Sequence, residues 1–209
     1  MSFYRKLSVF IIAASYILGL YFYRFMPPIM ASHWNIVGQV DGYIPKFWGL
    51  FLMPVISTMA FALLSYLPRI DPLRKNVEKF KKTFEQFIFF LVLFLFYIYL
   101  LTIVWNLGVI FNLTQAFMPG LAVVFYSSGS LLEKAKRNWF IGIRTPWTLE
   151  SDEVWGRTHK LGGLLFKFLA IPTIIGAFFP EIAFYIVIIP ALAFTVYLFF
   201  YSYYIYKSK

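Results

Sequence analysis

The length of its apolar runs constrains this chain more than any other feature. Between Phe87 and Trp105 the only polar side-chain groups are tyrosine hydroxyls, Thr102 and the Trp105 indole. As a helix rising about 1.5 Å per residue, such a run matches a hydrocarbon core of about 30 Å. Six stretches are long and apolar enough, or nearly so: residues 7–23, 47–67, 84–105, 115–132, 162–179 and 182–206. The fourth is the weakest, with Pro119-Gly120 and Ser127-Ser128-Gly129-Ser130 inside it. In lipid the backbone must satisfy its own hydrogen bonds, which leaves helices or a closed barrel. Barrel strands would alternate in polarity, and these segments are apolar on every face. The expected fold class is therefore all-α: a polytopic membrane protein, a six-transmembrane-helix bundle. The composition agrees, with 61% hydrophobic and 13% charged residues; soluble domains carry about 25% charged. The absence of cysteine rules out a disulfide framework.

Charge then orients the bundle. Six crossings put both termini on one side, and sixteen of the nineteen Lys and Arg residues fall on that side. They precede the first span, follow the last, and fill the two loops between the second and third and the fourth and fifth. Arg24 and Lys46 lie on the opposite side, and Lys167 sits inside the fifth span. Basic loops stay cytoplasmic, so both termini are expected there, in the cell membrane. Arg5 and Lys6 ahead of an apolar run resemble a signal peptide, but Ala13-Ala14-Ser15 comes too early for cleavage, and an uncleaved anchor is expected. The net charge of +10 reflects this topology and anionic lipid rather than nucleic acid.

Two loops exceed what a helical hairpin needs. The outer one, residues 26–46, begins with Pro27-Pro28, has turn signals at Gly38 and Asp41-Gly42, and gathers His33, Trp34, Asn35 and Asp41 within nine positions. Two readings stand: a recognition site for an external peptide, or a folded cap with Trp34 and Tyr43 in the interfacial belt. His33 and Asp41 supply only two of the three or four ligands a metal requires, so no metal is expected. The inner loop, residues 133–161, contains Trp139, Arg144 and Trp147, suited to headgroup level. Ser151 then reads as a helix N-cap with Asp152 and Glu153 in the first turn. Beyond it Trp155 and His159 share a side. This region is either an interfacial amphipathic helix or a docking surface for a cytosolic partner.

No catalytic set is complete, so no enzyme activity and no cofactor are expected. His33 and His159 lie on opposite sides of the bilayer, and no zinc-protease, nucleophile-elbow or phosphate-loop motif occurs. Ser127, Ser128 and Ser130 read as packing or backbone-bonding serines. Lys167 is the one ionisable group well inside a span; it either snorkels to the inner interface or lines a small carrier or ion pathway between proline-kinked helices.

The two loops also carry a family resemblance. Residues 28–50, with His33-Trp34-Asn35, Gly38, Asp41-Gly42 and Phe47-Trp48-Gly49-Leu50, resemble a domain of unknown function found at the start of many bacterial and archaeal membrane proteins. The run Asn138-Trp139-Phe140-Ile141-Gly142-Ile143-Arg144-Thr145-Pro146-Trp147-Thr148-Leu149, continued by Val154-Trp155, Thr158-His159 and Leu161-Gly162-Gly163, is similar to the signature of SdpI-type immunity proteins. The resemblance implies an N-terminal transmembrane hairpin (residues 1–70) ahead of an SdpI-like four-helix region (residues 71–209). It implies protection against a secreted toxic peptide, recognised outside by the His33, Trp34, Asn35 and Asp41 loop. It also implies a second partner, a cytosolic transcriptional repressor, reached inside by the loop of Trp139, Arg144, Trp147, Trp155 and His159.

Overall fold

A computed structural model describes residues 2–208. The order of elements is α1 (Phe3–Phe22), β1 (Ile29–Trp34), β2 (Val40–Pro45), α2 (Lys46–Ile70), α3 (Arg74–Glu78), α4 (Lys81–Asn106), α5 (Leu113–Lys134), α6 (Pro146–Glu150), α7 (Asp152–Gly176) and α8 (Pro180–Lys207). Five helices, α1, α2, α4, α7 and α8, are long and apolar enough to cross a membrane. The protein is a multi-pass, predominantly helical membrane protein. At 22 residues α5 has the length, but Pro119, Gly120 and its serines keep it outside that set. It nonetheless runs between the same two ends as its neighbours. Its first turn touches the β-hairpin through Thr114 Oγ1, which donates to Ile36 O. Its last turn leads into the loop around Ala135 and Asn138 at the other end.

Most side chains that cover these helices are apolar on the outside as well as the inside. Ile17, Leu63, Phe168, Ile189 and Phe200 are all exposed. A soluble monomer does not present so wide an apolar collar, whereas a bilayer covers one. Inside, small residues let backbones approach. A Cβ on Gly129 of α5 would stand 2.5 Å from Gly163 O and 2.8 Å from Lys167 N of α7, so this crossing closes only around glycine. The expected backbone-bonding serines are seen: Ser127 and Ser128 donate to Val124 O and Ser130 to Tyr126 O. Pro54, Pro119, Pro172 and Pro190 all lie within continuous helices.

The all-α expectation needs one amendment. The outer loop is an antiparallel two-stranded hairpin, pairing Ile29 with Pro45 through Trp34 with Val40. An isolated two-stranded ribbon is marginal in water, and this one is tied down from outside. Asn106, the last residue of α4, accepts from Ala31 N at 2.8 Å and donates to Ala31 O at 3.0 Å. Asn112, which caps α5, donates to Val37 O at 3.0 Å. Two side-chain amides thus complete the hydrogen bonding of the strand and the turn.

At the opposite end, residues 68–83 do not simply prolong α4. The chain turns at Asp71, forms the short α3, and re-enters at Lys81. The amphipathic helix expected after Ser151 is continuous with the fifth span, so α7 is one 25-residue helix whose first turns belong to the inner loop. Ser151 caps it as expected, accepting from Val154 N, with Asp152 and Glu153 following.

Candidate functional site

The hairpin end is built from the turn outwards. Asn35 Oδ1 accepts from Val37 N and Gln39 N, and Gly38 closes the turn at φ +83°. Register shifts between Ala31 and His33 and between His33 and Trp34 interrupt the ladder on either side of His33. Such irregularities re-aim side chains, and here His33 Nδ1 meets Asp41 Oδ1 at 2.5 Å. The pair is open to solvent, with side chains 72% and 45% exposed. Trp34 packs edge-on against Trp105, centroids 5.7 Å apart. Its indole Nε1 is buried without a hydrogen-bond partner.

Beneath the hairpin lies a mainly apolar groove of about 360 Å³. His33, Trp34 and Asn35 form its roof. Leu52 of α2, Phe117 of α5 and Phe184 of α8 are among its walls. The four outer residues singled out in the sequence therefore divide by task. His33 and Trp34 border the groove, Asp41 holds His33, and Asn35 also shapes the turn.

The inner loop is organised by buried polar groups that the sequence reading passed over. Asn138 is fully buried: its amide donates to Lys136 O and Ile141 O, while Oδ1 accepts from Phe140 N and Ile141 N. Asp71 reaches in from the end of α2, accepting from Trp139 N at 2.9 Å and Leu73 N at 2.7 Å. Trp155 donates from Nε1 to Ala135 O and stacks on His159 with centroids 3.9 Å apart. His159 Nε2 accepts from Ile143 N at 2.9 Å, which leaves the ring hydrogen on Nδ1, facing Trp155 O. That arrangement requires a neutral imidazole. Gly142, at φ +118°, lies against the Nε2 edge of the ring. Thr145 and Thr148 form a capping box for α6, and Thr145 Oγ1 bonds Ser202 Oγ of α8. Trp147 packs on Phe199 and Tyr203.

Of the five inner residues, then, Trp155 and His159 are interior, 2% and 1% exposed. They hold the loop from within. Trp139, half exposed, and Arg144, which donates to Trp139 O, form the outer surface. Lys167 does not stand alone: Nζ meets Glu133 Oε2 at 2.6 Å across the α5–α7 crossing. Glu133 was not matched to it in the sequence because 34 positions separate them. Among the described residues no group of three or more His, Asp or Glu could hold a metal.

Comparison with known proteins agrees with the two loop motifs. The model of the SdpI/YfhL protein family matches residues 134–202. That of a domain of unknown function, DUF1648, matches residues 10–58. The immunity protein SdpI of Bacillus subtilis (strain 168) is 24% identical over 156 residues, which is 75% of this chain and 70% of that protein. No solved structure matches. The chain thus resembles SdpI-type immunity proteins, with the domain of unknown function ahead of the SdpI-like region.

Proposed function

We propose that this chain is a multi-pass immunity protein of the plasma membrane that intercepts a secreted toxic peptide at the groove beneath the β-hairpin. Its likeness to the Bacillus subtilis immunity protein supports the immunity role. The groove supports the place: an apolar trough of peptide-side-chain dimensions, opening next to an exposed His33–Asp41 pair and roofed by Trp34. Apolar walls with a few fixed polar groups are what a small amphipathic ligand requires. In this reading α5 is a sixth crossing, the termini are cytoplasmic, and the hairpin faces outside. Residues 1–70 supply the hairpin and residues 71–209 the inner loop. The Trp139–Arg144 surface is the side offered to a cytosolic repressor.

Transport is the weaker reading, because Glu133 neutralises Lys167 and the α5–α7 crossing is closed around glycine. The test is protection. Expressed in sensitive cells challenged with a secreted toxic peptide, the wild-type chain raises the tolerated dose. Trp34→Ala and the groove-filling Leu52→Trp lower it by roughly tenfold, the factor that about 1.4 kcal/mol of binding represents. Unchanged protection in both variants, at equal membrane levels, contradicts the groove assignment.

A further inference from the structure

At the basic end a second cavity, about 460 Å³, opens between the start of α1, the end of α2, α3 and the start of α4. It has no part in the proposed peptide site. Its floor is Val77, Phe84, Ile88 and Glu85, all buried. Arg69, Arg74, Glu78 and Lys81 stand exposed at its mouth, and Arg5 reaches in from α1.

These charges do not satisfy one another. Every ion pair among the described residues lies elsewhere in the molecule. Arg5 Nε is buried with no acceptor, and Ser65 Oγ is buried with no partner. Glu85 is only 8% exposed and makes no hydrogen bond to any described residue. A guanidinium keeps its charge, so a buried Nε–H without an acceptor is costly to leave unmade. The lining therefore asks for a ligand that carries both an anion for the arginines and a hydroxyl donor for Glu85. Four cations against two carboxylates favour a net negative ligand over a zwitterion.

We infer that this cavity binds the headgroup of an anionic, hydroxylated phospholipid from the leaflet at the basic end, such as phosphatidylglycerol. The phosphate accepts from Arg5 and from the arginines of the mouth, in the forked geometry guanidinium groups offer phosphates. The glycerol hydroxyl donates to Glu85, and Phe84 and Ile88 provide an apolar floor. Basic pockets between helices at this level are known settings for lipid phosphate. The inference rests on the helices being membrane-crossing and is independent of what the hairpin groove binds.

Native mass spectrometry of the purified full chain in detergent tests this, with phosphatidylglycerol, phosphatidylethanolamine and phosphatidylcholine added in turn. Phosphatidylglycerol should be retained in preference to both. Arg5→Gln and Glu85→Leu, which removes the acceptor, should each reduce that retention about tenfold or more, the factor one charge-assisted hydrogen bond contributes. Lys207→Gln, which removes a basic-end charge outside the cavity, should leave it unchanged. Circular dichroism and a monodisperse elution profile establish that the variants are folded. If Arg5→Gln misfolds, Glu85→Leu alone decides. Retention without headgroup preference, or equal loss in Lys207→Gln and the cavity variants, overturns the inference. Displacement of the lipid by equimolar glycerol 3-phosphate overturns the lipid source and assigns the cavity to a soluble phosphate ester.

Discussion

His159 and Gly142 constrain each other. A Cβ at position 142 would stand 2.3 Å from His159 Nε2, and the backbone there is at φ +118°. Gly142→Ala must therefore strain the backbone and displace the ring that anchors Ile143 N. The expected loss of stability is about 2–4 kcal/mol, read by thermal unfolding in detergent. His159→Phe keeps a ring against Trp155 but removes the acceptor, and should cost about 1–3 kcal/mol. The exposed His33–Asp41 pair behaves oppositely. Asp41→Asn should change stability by less than about 1 kcal/mol yet reduce protection, because the pair borders the groove rather than supporting the fold. The sequence puts His33 and His159 in two separate loops. It did not reveal that one is a surface group and the other an interior acceptor, since that depends on Gly142, 17 positions upstream and folded back against the Nε2 edge of the ring.

Among the elements, the apolar spans were the most legible. Residues 87–105 show so few polar atoms that no other structure competes, and α4 contains them all. The hairpin was not legible. Its strands are short and of mixed polarity, and the groups that stabilise them, Asn106 and Asn112, lie 75 positions away from their partners. A polar amide at the very end of an apolar run, as at Asn106, was the available signal. Asn106→Ala would leave Ala31 N and O unpaired at a buried position, so the hairpin should loosen by about 1–3 kcal/mol. Faster amide exchange across residues 29–45, with α4 unaffected, is the expected result. At the α5–α7 crossing, Gly129→Val meets backbone at Gly163 O and Lys167 N, so movement of the Lys167 side chain alone cannot make room. It should cost about 2–4 kcal/mol and separate the two helices, seen as loss of the folded peak in size-exclusion chromatography.

At the scale of the whole molecule, the fold concentrates its non-helical chain at two ends. One carries the hairpin and its groove. The other carries the inner loop, the short α3 and the phosphate-seeking cavity. The SdpI-like region, residues 134–202, lies largely at the second end and in α7 and α8, while the N-terminal domain match, residues 10–58, contains the whole hairpin. α4 joins them, since its end holds Ala31 while its start packs beneath the inner loop through Phe84 and Ile88. A ligand in the proposed groove would touch α4 at Ile98 and Thr102, and the other end of that helix supports the inner loop. The account depends on those two ends facing different compartments, and that depends on α5, the helix whose composition alone does not make it a crossing.

The natural chain has no cysteine, so single replacements report position directly. Ile36→Cys places a thiol in the hairpin turn and Trp139→Cys one on the inner loop, both at exposed sites. Labelled in intact cells with a membrane-impermeant maleimide, Ile36→Cys should react and Trp139→Cys should react only after permeabilisation. Reaction of both in intact cells, or of neither, would put the two ends in one compartment and contradict the account.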